Sequence, residues 1–186
     1  MKIAKNNSGL SLFELTLIII VLSVVAALAL PKFMATNNHS HDASAQRAFT
    51  AFTAAINLYH SCWLSADQQT ATANLACFGD GNLDSNNIGF PLGIDVNTNA
   101  SMQPQNCRQL WQHLMTNSFV LQPLAEYNPD AQSRVDITYG LAGSNAHAAK
   151  TYCFYQYVAD MRLGSNNWQL HYYPGSGKTL VSSAIL

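Results

Sequence analysis

The strongest pattern in this 186-residue chain is a run of apolar residues from Leu10 to Leu30. As an α-helix, this run would extend about 31 Å at about 1.5 Å per residue, which is enough to cross the hydrocarbon core of a bilayer. It contains one carboxylate, Glu14, and Pro31 follows it directly. Because the run is long and apolar on every side, it does not fit the core helix of a soluble protein. The pattern predicts a membrane-spanning or signal segment, with the lysines that precede it on the cytoplasmic side.

Residues 32–66 are predicted to continue as an amphipathic helix, because large apolar side chains recur every three or four positions. These positions form one stripe: Phe49, Phe52, Ile56, Tyr59 and Trp63. We interpret the stripe as the seam where the helix packs on a sheet, rather than as a ligand platform. The polar segment 36–42 is poor in helix formers and is predicted to be a frayed joint between anchor and domain. His39, His41 and Asp42 diverge on a helix, so we expect a solvated face there and not a metal site.

The last third of the chain alternates apolar and polar residues with a period of two, which is typical of β-strands. Four strands are predicted: Arg134–Tyr139, Tyr152–Val158, Trp168–Tyr173 and Lys178–Ser182. The preceding region 67–133 is rich in turn residues and holds one short predicted helix at 107–115. A long helix followed by an antiparallel sheet at 134–186 makes the predicted fold class α+β.

The composition of the chain makes some classes of function unexpected. Charged residues make up 10 % of the chain, whereas about 25 % is usual. The formal net charge is −1, and removal of Lys2 and Lys5 would bring the side-chain sum to −3. Because there is no basic patch, we do not expect nucleic acid as a partner. No nucleophile–base pair or metal-ligand set stands out by spacing, so we predict neither enzymatic activity nor a cofactor.

All four cysteines follow the apolar run: Cys62, Cys77, Cys107 and Cys153. An even number of cysteines in a translocated domain indicates two disulfides. Of the three connectivities, we favour Cys62–Cys77, which closes a short loop, together with Cys107–Cys153, which ties a helix to a distant strand. The spacing does not suit a zinc site.

A weak calcium motif occurs in the turn-rich region, where Asp80, Asn82 and Asp84 alternate as at the start of a calcium loop. The match ends there, because Ser85 occupies the position of the sharp-turn glycine and Pro91 that of the closing glutamate. Turn chemistry accounts for the same residues. We predict no metal site, and these three residues are the weak candidates for one.

An ordinary secretory signal would also explain the apolar run, with Ala27-Leu28-Ala29 as its cleavage site. Glu14 argues against this interpretation. A carboxylate deep in a membrane costs roughly 2.5–3.5 kcal/mol on insertion scales, and less near the interface. The acid therefore suggests that something later neutralises its charge.

The segment Gly9-Leu10-Ser11-Leu12-Phe13-Glu14-Leu15 resembles the cleavage motif of type IV pilins and of the related type II secretion pseudopilins. In that family a peptidase cuts after the glycine, the new N-terminal residue is methylated, and a glutamate is fifth in the mature chain. Cutting after Gly9 makes Leu10 the first residue, Glu14 the fifth and Pro31 the twenty-second, where family members commonly have proline. Leu10, Ser11 and Phe13 replace the more usual phenylalanine, threonine and isoleucine.

The resemblance implies the type IV pilin fold, in which a long helix packs on a C-terminal antiparallel sheet. Its expected parts are a leader at 1–9, a transmembrane and assembly helix at 10–31, an amphipathic helix at 32–66 and a globular head at 67–186. Gly9 and Leu10 would be the processing residues. Glu14 and Pro31 would serve assembly, with Glu14 paired to the N-terminal amine of a neighbouring subunit and Pro31 loosening the helix.

Two further stretches, Ile88-Gly89-Phe90-Pro91 and Cys107 to Met115, are similar to stretches of mannose-sensitive haemagglutinin (MSHA)-type pilins. The hypothesis is a minor pilin with a role in pilus biogenesis or adhesion, first a single-pass inner-membrane protein and then part of an extracellular pilus. Its implied partners are other pilin subunits, prepilin peptidase, the assembly machinery and a surface receptor. The alternatives are a secretion pseudopilin, or a secreted disulfide-bonded binding domain released after Ala29.

Overall fold

The computed structural model describes residues 11–96, 102–116, 118–131, 133–143, 151–160 and 166–185. It is a mixed α+β structure with an N-terminal apolar helix and a five-stranded sheet. The elements are α1 (Leu12–Ser65), β1 (Asp84–Ser85), β2 (Pro91–Gly93), α2 (Pro104–Leu114), β3 (Leu121–Pro123), a 3₁₀ turn (Leu124–Glu126), β4 (Ile137–Ala142), β5 (Tyr152–Tyr157), β6 (Asn166–Tyr173) and β7 (Lys178–Ile185). The chain divides into two compact units, Met1–Ser40 and His41–Leu186, which we call the anchor unit and the head.

Helix α1 is continuous from Leu12 to Ser65. The predicted fraying at 36–42 is therefore wrong, because every residue of that segment is helical. The boundary between the two compact units does fall within this segment, between Ser40 and His41. Its polar side chains can find partners on the helix itself, as when the Thr36 hydroxyl donates to the Lys32 carbonyl at 2.9 Å. The helix also continues past position 31, since a proline removes one backbone hydrogen bond while the neighbouring turns keep theirs.

The predicted stripe of α1 forms the centre of the head core. Four of its side chains are 0 % exposed and the fifth is 6 % exposed: Phe49, Phe52, Ile56, Tyr59 and Trp63. The centroid of the Phe52 ring lies 5.4 Å from that of the Trp111 ring on α2 and 5.1 Å from that of the Tyr155 ring on β5. Burying a large apolar side chain contributes about 1.5–3 kcal/mol, so the stripe stabilises the packing of α1 on α2 and the sheet. The interpretation as a core seam is confirmed.

The main sheet has the strand order β3-β4-β5-β6-β7. Its last four strands are antiparallel neighbours, as predicted. The sheet as a whole is mixed, because β3 pairs with β4 in parallel. The sequence did not predict β3, since a strand of three residues shows no usable periodicity. The side chains of β5 alternate in burial, with Cys153, Tyr155 and Tyr157 buried on the side of α1.

Strand β4 begins at Ile137, three residues later than predicted. The reason is Asp136, whose carboxylate accepts hydrogen bonds from the Val120 backbone N–H at 2.8 Å and from Arg134 Nε at 3.0 Å. These contacts hold residues 134–136 in a loop rather than in the sheet ladder. At its other end the strand extends past Gly140, where the absent side chain leaves room for the Phe154 ring.

Two disulfides are present, with the favoured connectivity. Cys62 near the end of α1 pairs with Cys77 in the following loop, and their Cα atoms are 6.0 Å apart. Cys107 on α2 pairs with Cys153 on β5 across a Cα distance of 5.5 Å. The first bridge closes a local loop, and the second ties α2 to the middle of the sheet.

Candidate functional site

The anchor unit contains an 18-residue segment, Leu12–Ala29, that is long and apolar enough to cross a membrane. None of the segment is buried against the rest of the chain. Its exposed large side chains are Leu12, Phe13, Leu15, Leu17, Ile18, Ile19, Ile20, Val21, Leu22, Val24, Val25 and Leu28. A continuous apolar surface of this kind marks contact with lipid or with other proteins. By length and composition, the segment fits either a membrane anchor or a signal sequence.

The hydroxyl groups within this segment bond to their own helix. Thr16 Oγ1 donates to the Phe13 carbonyl at 2.8 Å, and Ser23 Oγ donates to the Ile20 carbonyl at 2.7 Å. A polar group that enters lipid without a partner costs several kcal/mol. Both hydroxyls therefore avoid that cost, and Glu14 remains as the one charged side chain between Leu12 and Ala29.

Glu14 lies in the first turn of α1. There it faces the partial positive charge of the helix N-terminus, an interaction that contributes about 0.3–1 kcal/mol at an exposed site. Because Glu14 lies near one end of the segment, its carboxylate costs less than the roughly 2.5–3.5 kcal/mol of one deep in a bilayer, and the helix dipole offsets part of that cost.

The other residues predicted to serve processing and assembly are only partly covered by the structure. Gly9 and Leu10 lie outside the described residues. Position 31 is helical, and the side chain of Pro31 lies outside the description. The expected peptidase site and the assembly role of Pro31 thus stay predictions.

Of the weak calcium candidates, Asp84 is buried and bonded to the backbone, whereas Asp80 is at the surface. Asp84 is 4 % exposed. Its two carboxylate oxygens accept hydrogen bonds from the backbone N–H groups of Asn74, at 2.9 Å, and Val96, at 2.8 Å. Asp80 is largely exposed and lies 4.0 Å from His113 Nδ1. Asp84 therefore stabilises the conformation of this loop through hydrogen bonds to backbone N–H groups. Among the described residues, no group of three or more His, Cys, Asp or Glu side chains is placed to hold a metal ion.

The expectation of a solvated face at His41 and Asp42 is wrong. Asp42 Oδ1 accepts a hydrogen bond from Trp168 Nε1 at 2.8 Å, and Asp42 Oδ2 accepts one from Asn166 Nδ2 at 3.0 Å. His41 Nδ1 and the Tyr157 hydroxyl share a hydrogen bond of 2.9 Å. We call these contacts the helix clasp, because they join the first head residues of α1 to β5 and β6.

The head also contains a cleft of about 550 Å³ that the sequence did not indicate. It lies beside the helix clasp and is bordered by α1, by the loop before β4 and by the end of β5. Its lining includes His41, Ser44, Phe119, Tyr127, Arg134 and Tyr157. Small-molecule sites commonly occupy about 300–1,000 Å³, so the cleft has a suitable size for a ligand.

The periodicity of α1 offers a signal that could have located both the clasp and one wall of the cleft. Continuing the stripe backwards from Phe49 by steps of three and four residues leads to Ala45 and then to His41 and Asp42. Ala45 is 0 % exposed, and the two polar residues are half-buried. The remaining walls come from distant loops, for which no local pattern exists.

Comparison with known proteins identified no relative of this chain. No protein-family model, curated protein or solved structure matches the chain.

Proposed function

We propose that this chain is a structural subunit, of the minor kind, of a type IV pilus-like filament. In this proposal prepilin peptidase removes residues 1–9, and the apolar part of α1 holds the subunit in the inner membrane. Assembly then transfers the helix from lipid into a bundle of similar helices, while the head faces the outside of the extracellular pilus. We also propose that the α+β structure is, more specifically, a type IV pilin fold.

The observation that carries the proposal is the exposed apolar surface of Leu12–Ala29 with a single carboxylate near its beginning. Transfer from lipid into a bundle of apolar helices loses little hydrophobic free energy, because both surroundings are apolar. Glu14 would gain a partner in the new N-terminal amine of a neighbouring subunit. Such a pair offsets the desolvation that each charge would bear alone.

The head supports the same proposal through its order of elements and its crosslinks. A helix whose second half is buried against an antiparallel meander agrees with the architecture that the motif implies. Two disulfides suit a domain that works outside the cytoplasm. Catalysis forms no part of the proposal.

The mature N-terminus tests the proposal directly. The full chain should be expressed in a host with prepilin peptidase, isolated from membranes and measured by intact-mass and N-terminal fragment spectrometry. We expect a chain that begins at Leu10 and carries one added methyl group. A chain that begins at Leu30 would instead support a secreted domain with a conventional signal, and would contradict the filament proposal.

Two variants distinguish cleavage by prepilin peptidase from cleavage by a signal peptidase. Gly9→Val should block maturation by prepilin peptidase, whereas Ala29→Val should leave it unchanged. The opposite pattern would assign cleavage to a signal peptidase after Ala29.

A further inference from the structure

The two edges of the main sheet differ in how well they are protected from pairing with another chain. Proteins commonly shield an edge by keeping its strand short or by placing prolines and charges on it. Strand β3 forms one edge with three residues and ends in Pro123. Strand β7 forms the other edge with eight residues, contains no proline and carries one charge, at Lys178. Of the two edges, β7 is therefore the one open to an additional strand.

Both faces of β7 are accessible. The hydroxyls of Thr179 and Thr53 share a hydrogen bond of 3.1 Å, so Thr179 lies on the face of the sheet that carries α1, and Val181 shares that face. Val181 is nevertheless 45 % exposed, and Leu180 on the opposite face is 43 % exposed. Ser182 is exposed as well. The described elements thus leave this part of the edge uncovered on either face.

The edge is held in a fixed position. Strand β7 pairs with β6 in unbroken register from Lys178 to Ile185. The turn before the strand is tied to the loop after β1, because Asn86 Nδ2 donates to the Pro174 carbonyl at 2.7 Å. An added strand would meet a backbone that is already ordered, which reduces the entropy cost of binding.

The sequence of β7 is complementary to itself in an antiparallel arrangement. With Val181 opposite Val181 of a second copy, positions 178–184 of the two strands overlap. Leu180 then lies opposite Ser182, and Thr179 lies opposite Ser183. The second of these pairs brings two hydroxyls together, and the central pair is β-branched; both are favourable across antiparallel strands. The register also keeps equivalent faces of the two sheets on the same side, as a two-fold axis requires.

Charge favours a second copy over a strongly charged segment. In the two-fold register the two Lys178 residues lie at opposite ends of the strand pair, roughly 20 Å apart at about 3.4 Å per residue. That separation exceeds the Debye length of about 8 Å at physiological ionic strength, so their repulsion is screened. An acidic or basic segment would find no row of opposite charges along β7. Pairing with the same strand needs none.

We propose that β7 is a docking edge for a second copy of this chain, and that two heads join through antiparallel β7 strands into one continuous sheet. Backbone N–H and C=O groups on the outer side of β7 supply the affinity, and the Val181 pair with its hydroxyl neighbours fixes the register. The arrangement is closed, because each copy uses its one open edge. The surface lies within the head and does not rest on the filament proposal, so a chain that began at Leu30 would leave it intact.

The test introduces single cysteines into the full chain in detergent micelles, where the four native cysteines are already paired. Val181→Cys should form a disulfide-linked dimer under mild oxidation. Residues directly opposite each other on antiparallel strands have Cα atoms about 4.5–5.5 Å apart, which a disulfide can span. Leu124→Cys is the matched control, because Leu124 is 43 % exposed and follows β3 at the other edge. On non-reducing gels we expect at least tenfold faster cross-linking of Val181→Cys, and equal rates would overturn the proposal.

Two further variants test the register. Leu180→Cys and Ser182→Cys should each cross-link slowly alone, because identical off-axis positions are about 8 Å apart, beyond the reach of a disulfide. Co-expressed with tags of different mass, the two should give a cross-linked heterodimer, since Leu180 lies opposite Ser182. A mixture that cross-links no faster than either variant alone would contradict the proposed pairing.

A charge variant tests the same contact without cysteine chemistry. Val181→Lys would place two ammonium groups directly opposite each other, which destabilises antiparallel pairing. Because this side chain is exposed, the Tm of the head should change little. Sedimentation equilibrium in density-matched detergent should show the Kd of the dimer raised at least tenfold, whereas Leu124→Lys should stay within twofold of the parent. A dimer that tolerates Val181→Lys would place the contact elsewhere and refute the assignment.

Discussion

Asp42 on α1 and Trp168 on β6 are joined by a hydrogen bond of 2.8 Å between the carboxylate and the indole N–H. The two residues are 126 positions apart in the chain. Their contact holds the first turn of the head part of α1 against the sheet, and Asn166 adds a second hydrogen bond at 3.0 Å. This half-buried carboxylate is thus a tertiary contact of the head and not part of a solvated face.

The contribution of this contact can be measured with Asp42→Asn. The variant keeps one acceptor but turns an amide N–H₂ towards a donor, so we expect the free energy of unfolding to fall by about 1–2 kcal/mol. Urea unfolding of the full chain in detergent, followed by tryptophan fluorescence, provides the measurement. Asp67→Asn is the matched control, because Asp67 is exposed and has a positive φ that asparagine tolerates. Equal stability of the two variants would show that the clasp contributes nothing.

The two disulfides should differ in their effect on stability because they close loops of different length. The residues that they join are 15 and 46 positions apart. In the chain-entropy model, such loops contribute about 3 and about 4 kcal/mol. We therefore expect the double variant Cys107→Ala with Cys153→Ala to unfold at lower urea than Cys62→Ala with Cys77→Ala. The reverse order would mean that local strain or denatured-state structure outweighs loop entropy.

Glu14 offers a prediction about assembly. Glu14→Ala should still be cleaved, but its incorporation into sheared filaments should fall at least tenfold, because the N-terminal amine of the neighbour would lose its partner. Immunoblots of the sheared and membrane fractions measure this ratio. Glu126→Ala removes the same side chain from the exposed 3₁₀ turn of the head and should assemble normally. Normal incorporation of Glu14→Ala would contradict the proposed ion pair.

Alkaline pH should destabilise the head through its buried tyrosines. Burial raises the pKa of Tyr155 and of Tyr172 well above 10, and burial together with the Asp84 carboxylate raises the pKa of Tyr59. The unfolded chain ionises these phenols near pH 10 while the folded chain keeps them protonated. Their stabilising contribution is therefore complete below pH 10 and is lost as the pH rises towards the folded-state pKa values, by about 1.4 kcal/mol per group and pH unit.

Absorbance at 295 nm checks this expectation. In the folded chain, some tyrosines should ionise only together with unfolding, whereas in urea all eight should ionise together near pH 10. Tyr172→Phe should reduce the amplitude of the late phase by one tyrosine. Simultaneous ionisation of all tyrosines in the folded chain would contradict the burial of these phenols.

The sequence was most informative where a single element determines the structure. The apolar run and the stripe from Phe49 to Trp63 each arise from one helix, whose period brings residues three or four apart onto one face. Alternation likewise located β5, β6 and β7, and the short loop between Cys62 and Cys77 favoured their observed pairing. These features depend on neighbours in the chain, which a sequence displays directly.

Tertiary structure decided the rest, because the partners are far apart in the chain. Asp136 accepts a hydrogen bond from the Val120 backbone N–H, 16 positions earlier, and so delays the start of β4. The parallel pairing of β3 with that strand has no local period. The helix clasp and the cleft bring α1 together with loops more than 70 residues away. A hydrogen bond or a cavity wall formed by such distant residues depends on how the whole chain packs, and the pattern around either partner alone does not contain it.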